Sequence, residues 1–229
     1  LVHWTMEKVI GTYERSARAG NLIVLKSGLA ILVLAIGMIL WQRRQAEAAI
    51  GTLLKIAERH EANGQKSQDE KNVEQAVQEW AKAATFLDRY CRVRPEDAAA
   101  AERLAVASER LAFSRPGLVR AARQYDRAWS LHPDDNALGF KQTRLALAGE
   151  ESPLALAGAE KLLQKTDPGS PEHLAAFQLK VQAQLQDVDR PNSATTWTQV
   201  AETLKHGISS KLDAVQCCYQ LAVVYRQHP

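Results

Sequence analysis

Cysteine, aromatic residues and any dominant charge are all scarce in this chain, and each scarcity removes a class of protein. Three cysteines occur among 229 residues. They are Cys91, Cys217 and Cys218. Neighbours on a helix point apart, so the last two do not bridge without distortion. An odd count with no CxxC spacing excludes a disulfide framework and gives no support to a zinc or thioredoxin-type site. The three thiols read as small buried hydrophobes.

Phe, Trp and Tyr together make up 6% of the chain, while apolar residues reach 46%. Alanine is abundant. That balance predicts helices packed closely through small side chains. No segment alternates with period two, so no sheet is expected. The formal net charge is +3, with acids and bases interspersed, which is not the basic stripe of a nucleic-acid binder. The clusters Arg89/Arg92/Arg94 and Arg115/Arg120/Arg123 read as solvated helix faces and ends. Cations near a helix C-terminus are favoured by its dipole.

Signatures of catalysis are also missing. There is no HExxH, no glycine-rich phosphate loop and no GxSxG. His3, His60, His132, His173, His206 and His228 are scattered without a partner at metal-ligand spacing. Glu172–His173 reads as a helix start, where a carboxylate complements the dipole. Glu7/Glu14 and Asp134/Asp135 read as surface acids near helix ends or turns. The expectation is a chain that is not an enzyme and holds no cofactor or metal.

One long apolar run is present. Residues 22–41 read LIVLKSGLAILVLAIGMILW, with no polar side chain from Gly28 to Leu40. Twenty helical residues rise about 30 Å, the thickness of the hydrocarbon layer. Lys26 can carry its ammonium back to the headgroups along its stem. Trp41 suits the opposite interface, and Arg43–Arg44 follow as a charged stop. A cleaved signal would end in a small-x-small site, and this run ends in WQRR. Gly28 and Gly37 are too far apart for a glycine-driven helix dimer. The run is expected to cross a membrane once. Lys8, Arg15, Arg18 and Lys26 on one side nearly balance Arg43, Arg44, Lys55 and Arg59 on the other. The short tail before the span makes N-in the default orientation.

Beyond Arg44 the pattern is helix after helix. QAEAAIGTLLKIAERHEA continues the first helix into water, and NGQKSQDEK is expected to break it as a polar loop. Residues 72–94 carry Val73, Ala76, Val77, Trp80, Ala83, Ala84, Leu87 and Tyr90 at helical spacing, and Pro95 follows. A helix from about Ala98 to Phe113 presents Leu104, Ala107 and Leu111. After the loop SRPG comes AARQYDRAWSLHP, stopping at Pro133. Asn136–Ala148 and Pro153–Lys165 form a further pair ahead of Pro168. Glu172–Gln186, with Leu174, Phe177 and Val181, pairs with Ala194–His206, with Trp197, Val200, Ala201 and Leu204, across DVDRPNS. A last helix begins near Ser210 and carries Leu212, Val215, Tyr219 and Ala222. Leu1 is not a methionine, and CCYQLAVVYRQHP stops as an apolar helix finishes, so both ends read as cut.

Pro95, Pro133 and Pro168 lie 38 and 35 residues apart. The pattern A-x3-large-x7-P occurs at Ala83, Leu87, Pro95 and again at Ala121, Tyr125, Pro133. It resembles the second half of a tetratricopeptide repeat, about 34 residues long. The pair ending at Pro168 departs from it, with Leu156 and Glu160 at the corresponding places, and no repeat carries the full W-x2-L-G-x2-Y.

The expected fold is all-α: a tail at 1–21, a transmembrane helix at 22–42, a helical extension and polar loop at 43–71, and an α-solenoid of helix hairpins at 72–229. The resemblance implies a scaffold or adaptor that holds a peptide or protein partner in a concave groove along the first helices. Transferring the family's groove positions gives Glu102, Glu109, Lys141 and Gln182 as partner-binding residues. The alternative is the non-catalytic membrane-spanning and repeat portion of a larger enzyme or receptor.

Overall fold

A computed structural model describes the backbone of residues 2–188, 190, 193, 195–210, 212 and 214–227. Side chains are described for Leu34 and, within that set, from residue 36 onward except Val215 and Gln227. Among the described residues every regular element is a helix: α1 (Val2–Asp69), α2 (Val73–Val93), α3 (Ala98–Arg110), α4 (Arg115–Leu131), α5 (Asn136–Ala148), α6 (Ser152–Lys165), α7 (Pro171–Val188), α8 (Trp197–Ser209) and α9 (Ala214–Gln227). The chain divides into two compact units, Leu1–Thr52 and Leu53–Pro229.

In the first unit, Leu34, Ile36, Met38, Ile39, Leu40 and Trp41 are all exposed. Most of the expected span 22–42 lies outside the described side chains. Among the described residues no helix is long and apolar enough to cross a membrane.

The second unit is a run of helix hairpins. From α2 onward each helix packs on its sequence neighbour, and α5 also meets α7. The expected polar loop NGQKSQDEK is instead helical through Asp69, and only Glu70–Asn72 turn the chain. Trp80 of α2 explains the difference. Its ring covers Gly64, where an added Cβ would stand 3.0 Å from the indole. Glycine lowers helix propensity by about 1 kcal/mol against alanine, and packing outweighs that here. Lys71 takes the left-handed conformation at φ 59° that the tight turn needs.

The junctions between hairpins repeat a short chemical sentence. Arg94 (φ −123°, ψ 71°) and His132 (φ −120°, ψ 71°) end α2 and α4 in almost the same conformation. Both precede a proline, which excludes the helical conformation at that residue. Two residues after each proline stands an N-cap. Asp97 accepts from the Ala100 N–H at 3.0 Å, and Asp135 from the Ala137 N–H at 2.9 Å. Ser170, two residues after Pro168, accepts from the His173 N–H at 3.0 Å. Asp135 is thus the exposed acid at a helix end that the sequence suggests, and its cap is worth about 1 kcal/mol to the helix.

Burial in the second helix of each hairpin follows one spacing. Ala83 and Leu87, Ala121 and Tyr125, Ala155 and Ala159, and Val200 and Leu204 are all fully buried four residues apart. The third pair accounts for the departure seen in the sequence, because Leu156 is half-buried and Glu160 exposed. The register there is one residue earlier than counting back from Pro168 suggests, since Thr166–Asp167 insert an extra residue before that proline.

Other boundaries also shift. Ser114 caps α4 through the Gly117 N–H at 3.4 Å, so most of SRPG is the first turn of a helix, with Pro116 where its missing N–H costs nothing. Ser210 ends α8 rather than starting α9. The buried side chains of α9 are Cys217 and Val224, whereas Tyr219 and Ala222 face outward. Val215 lies outside the described side chains.

Alanine lets the helices close up, as in the cluster of Ala122, Ala146, Ala155 and Ala183 from α4 to α7. The larger volumes are Trp129 and Tyr125 of α4, both fully buried. Burying a large apolar side chain contributes about 1.5–3 kcal/mol.

Candidate protein-binding face

Three of the four sequence-predicted residues surround one hydroxyl. Tyr125 projects from α4 between α3 and α5. Its hydroxyl donates to Glu109 Oε2 of α3 at 2.5 Å. Lys141 of α5 donates to the Tyr125 hydroxyl oxygen at 3.3 Å, with its ammonium 5.2 Å from the ring centroid. Burial pushes the Tyr125 hydroxyl well above the usual tyrosine range, and the Glu109 bond and the charge of Glu102 push it further. Glu102 and Glu109 are half-buried, while Lys141 is exposed. Glu109 and Lys141 therefore fasten first helices to the α4 tyrosine, while Glu102 acts on it only as a nearby charge.

Gln182 lies apart from them. It lines an open pocket of about 240 Å³ between α7 and α9. Phe177, Val181 and Cys217 supply its apolar lining; Gln178, Gln182, Gln216 and Gln220 supply amides. Amide side chains both donate and accept, so they can pair with the alternating N–H and C=O groups of a peptide backbone. The volume suits one apolar side chain of a bound segment. Sequence reading found Gln182 through the repeat register. It missed Gln216 and Gln220, although their four-residue spacing matches that of Gln178 and Gln182.

Polar contacts hold neighbouring hairpins in place. Arg103 of α3 clamps Glu61 of α1, with Nη2 2.7 Å from Oε2, and reaches Glu58 at 3.2 Å. Between α1 and α2, His60 Nδ1 lies 2.7 Å from Glu79, which also accepts from Lys82 at 2.7 Å. The His60 bond, then that of Lys82, holds the Glu79 carboxyl down at about 2. On the second helices, Arg127 donates to the Cys91 carbonyl at 3.0 Å and to that of Pro95, 32 residues earlier. Lys165 donates to the carbonyl of Pro133, again 32 residues earlier. Among the described residues no three His, Cys, Asp or Glu side chains are gathered as a metal site.

No family model and no curated protein matches the chain. A solved structure described as "MamA RS-1 ArsTM double mutant" is similar to 76% of this chain and 85% of that one, with 16% identity and a TM-score of 0.46. The stacked-hairpin architecture stands on the helix contacts, caps and repeated burial described above.

Proposed function

We propose that the chain is a membrane-tethered adaptor that binds a peptide or protein partner along the first helices of its hairpins. The carrying observation is the open pocket at Gln182, where an apolar lining and a rim of uncharged amides fit a peptide backbone bearing one apolar side chain. Hairpins stack because one pair cannot cover its own apolar face, and stacking leaves an extended surface. The exposed apolar side chains of Leu34, Ile36, Met38, Ile39, Leu40 and Trp41, in the run that starts at Leu22, support a bilayer as the surroundings of the first helix. The tether would raise the local concentration of the repeats toward membrane partners. We read the role as binding without catalysis, with N-in as the default orientation.

The test is a peptide library panned against the full chain in detergent micelles. Selected peptides should lose binding to the variant Gln182→Ala/Gln216→Ala. Selection of no peptide, or of peptides indifferent to that variant, overturns the groove. Release of the chain from membranes by carbonate overturns the tether. Labelling Glu70→Cys in a Cys218→Ser background, in intact and lysed cells, reads the orientation.

A further inference from the structure

The outward face of α4 carries a second cavity, of about 480 Å³, separate from the pocket at Gln182. Its lining is Arg115, Pro116, Val119, Arg120, Arg123, Gln124 and Gly149. All three charged residues in that lining are arginines. This face is opposite the one that buries Ala121, Tyr125 and Ala128.

Two of the guanidinium groups are positioned by acids at the α5–α6 turn. Arg115 Nη2 lies 2.5 Å from Glu150 and Arg123 Nη2 lies 3.8 Å from Glu151. The turn is pressed close, since a Cβ on Gly149 would stand 2.8 Å from Val119 Cγ2. Glu150 holds φ 58°, a conformation that places its carboxylate beside Arg115. Arg120 is exposed and makes no ion pair among the described residues. Three cations thus meet two acids, and the uncompensated one stands between the other two along the helix. The first turn of α4 adds the positive end of its dipole on the same side.

We propose that this cavity docks an acidic peptide segment of a protein partner, independently of the pocket at Gln182. Arg115 to Arg123 span roughly 12 Å along the helix axis, the reach of about four extended residues. The segment would present two or three carboxylates over that length. Arg120 takes one directly in a bidentate pair, the geometry guanidinium favours. Arg115 and Arg123 share theirs with Glu150 and Glu151. The apolar edge of Val119 and Pro116 accommodates the methylenes of the segment.

The experiment is fluorescence anisotropy on the full chain in a neutral detergent. The probe is a labelled octapeptide with four Asp and Glu residues, beside its Asn/Gln counterpart. The acidic probe should bind at least tenfold more tightly than the neutral one, and less tightly as salt rises. Arg120→Glu should cost the acidic probe tenfold or more. Glu151→Gln, which removes a competing carboxylate, should tighten it severalfold. Arg120 makes no ion pair here, so its variant is expected to fold, and circular dichroism checks that. Equal binding of the two probes overturns the proposal, as does indifference to Arg120→Glu. Capture of phosphatidylserine vesicles without capture of the acidic peptide overturns it in favour of a lipid surface. Peptides selected at the Gln182 pocket should be unaffected by Arg120→Glu, so the two readings fail separately.

Discussion

Arg127 donates to the carbonyl of Pro95 at 3.5 Å, and so ties each of these residues to a neighbouring hairpin. Its stronger bond, at 3.0 Å, goes to Cys91 in the last turn of α2, where helical carbonyls lack partners. Lys165 and Pro133 repeat the contact one hairpin later.

Arg127→Met keeps most of the stem and removes these bonds. We expect a loss of about 1–2 kcal/mol in urea unfolding, in the range of hydrogen bonds from charged groups. Arg92→Met, an exposed ion pair with Asp88 four residues away, should change stability by less than about 0.5 kcal/mol.

Glycine substitutions should split by sign. A Cβ at Gly207 would stand 2.5 Å from Phe177 Cζ and 2.8 Å from Cys217 Sγ. Gly207→Ala should destabilise by about 1–3 kcal/mol, as overpacking does. At Gly51 nothing lies within 4 Å. There the same change should raise the stability of an exposed helix by up to about 1 kcal/mol. Thermal melts of the two variants against the parent read both signs.

Tyr125→Phe removes the donor to Glu109 and the acceptor for Lys141. We expect about 1 kcal/mol lost near neutral pH. The folded hydroxyl titrates above its unfolded value of 10.0. Its contribution is therefore complete below pH 10 and is lost as pH rises toward the folded value. The gap between parent and Tyr125→Phe should shrink in alkaline urea titrations. Absorbance at the tyrosinate band should show late ionisation from Tyr125 and also from Tyr90, whose bond to Asp97 raises it too, and only the Tyr125 part should vanish in Tyr125→Phe.

Glu79 gives the acid counterpart. Its carboxyl falls from 4.5 to about 2 in the fold, first through His60 and then through Lys82. Stability from this group is present above pH 4.5 and is lost as pH falls from there toward 2. Glu79→Gln should flatten the decline of melting temperature over that window, and should be less stable than the parent at pH 6. An equal slope in both proteins would place the acid sensitivity elsewhere.

The helical class and the hairpin order were legible because three prolines, a helical apolar stripe and alanine at packing positions all point the same way. Asn136–Ala148 is recovered at both ends. Boundaries failed where packing overrides local preference. Gly64 reads as a loop residue until Trp80 lies over it. Leu156 and Glu160 read as a departure from the repeat until the extra residue before Pro168 moves the register to Ala155 and Ala159. The site was half legible. Repeat register singled out Glu102, Glu109, Lys141 and Gln182, yet only the fold shows Glu109 and Lys141 sharing the Tyr125 hydroxyl. Arg115, Arg120 and Arg123 of α4 read as a solvated face and all three are exposed, but nothing in their spacing announces that acids of the α5–α6 turn pair with two of them.

Among the described residues the cationic reach across hairpins stops after its second occurrence. The residue 32 positions beyond Pro168 is Val200, which is fully buried and can donate nothing from its side chain. A force applied along the row of hairpins should therefore part it at the seam ahead of α8, leaving the stretch from α2 to α6 latched as one piece.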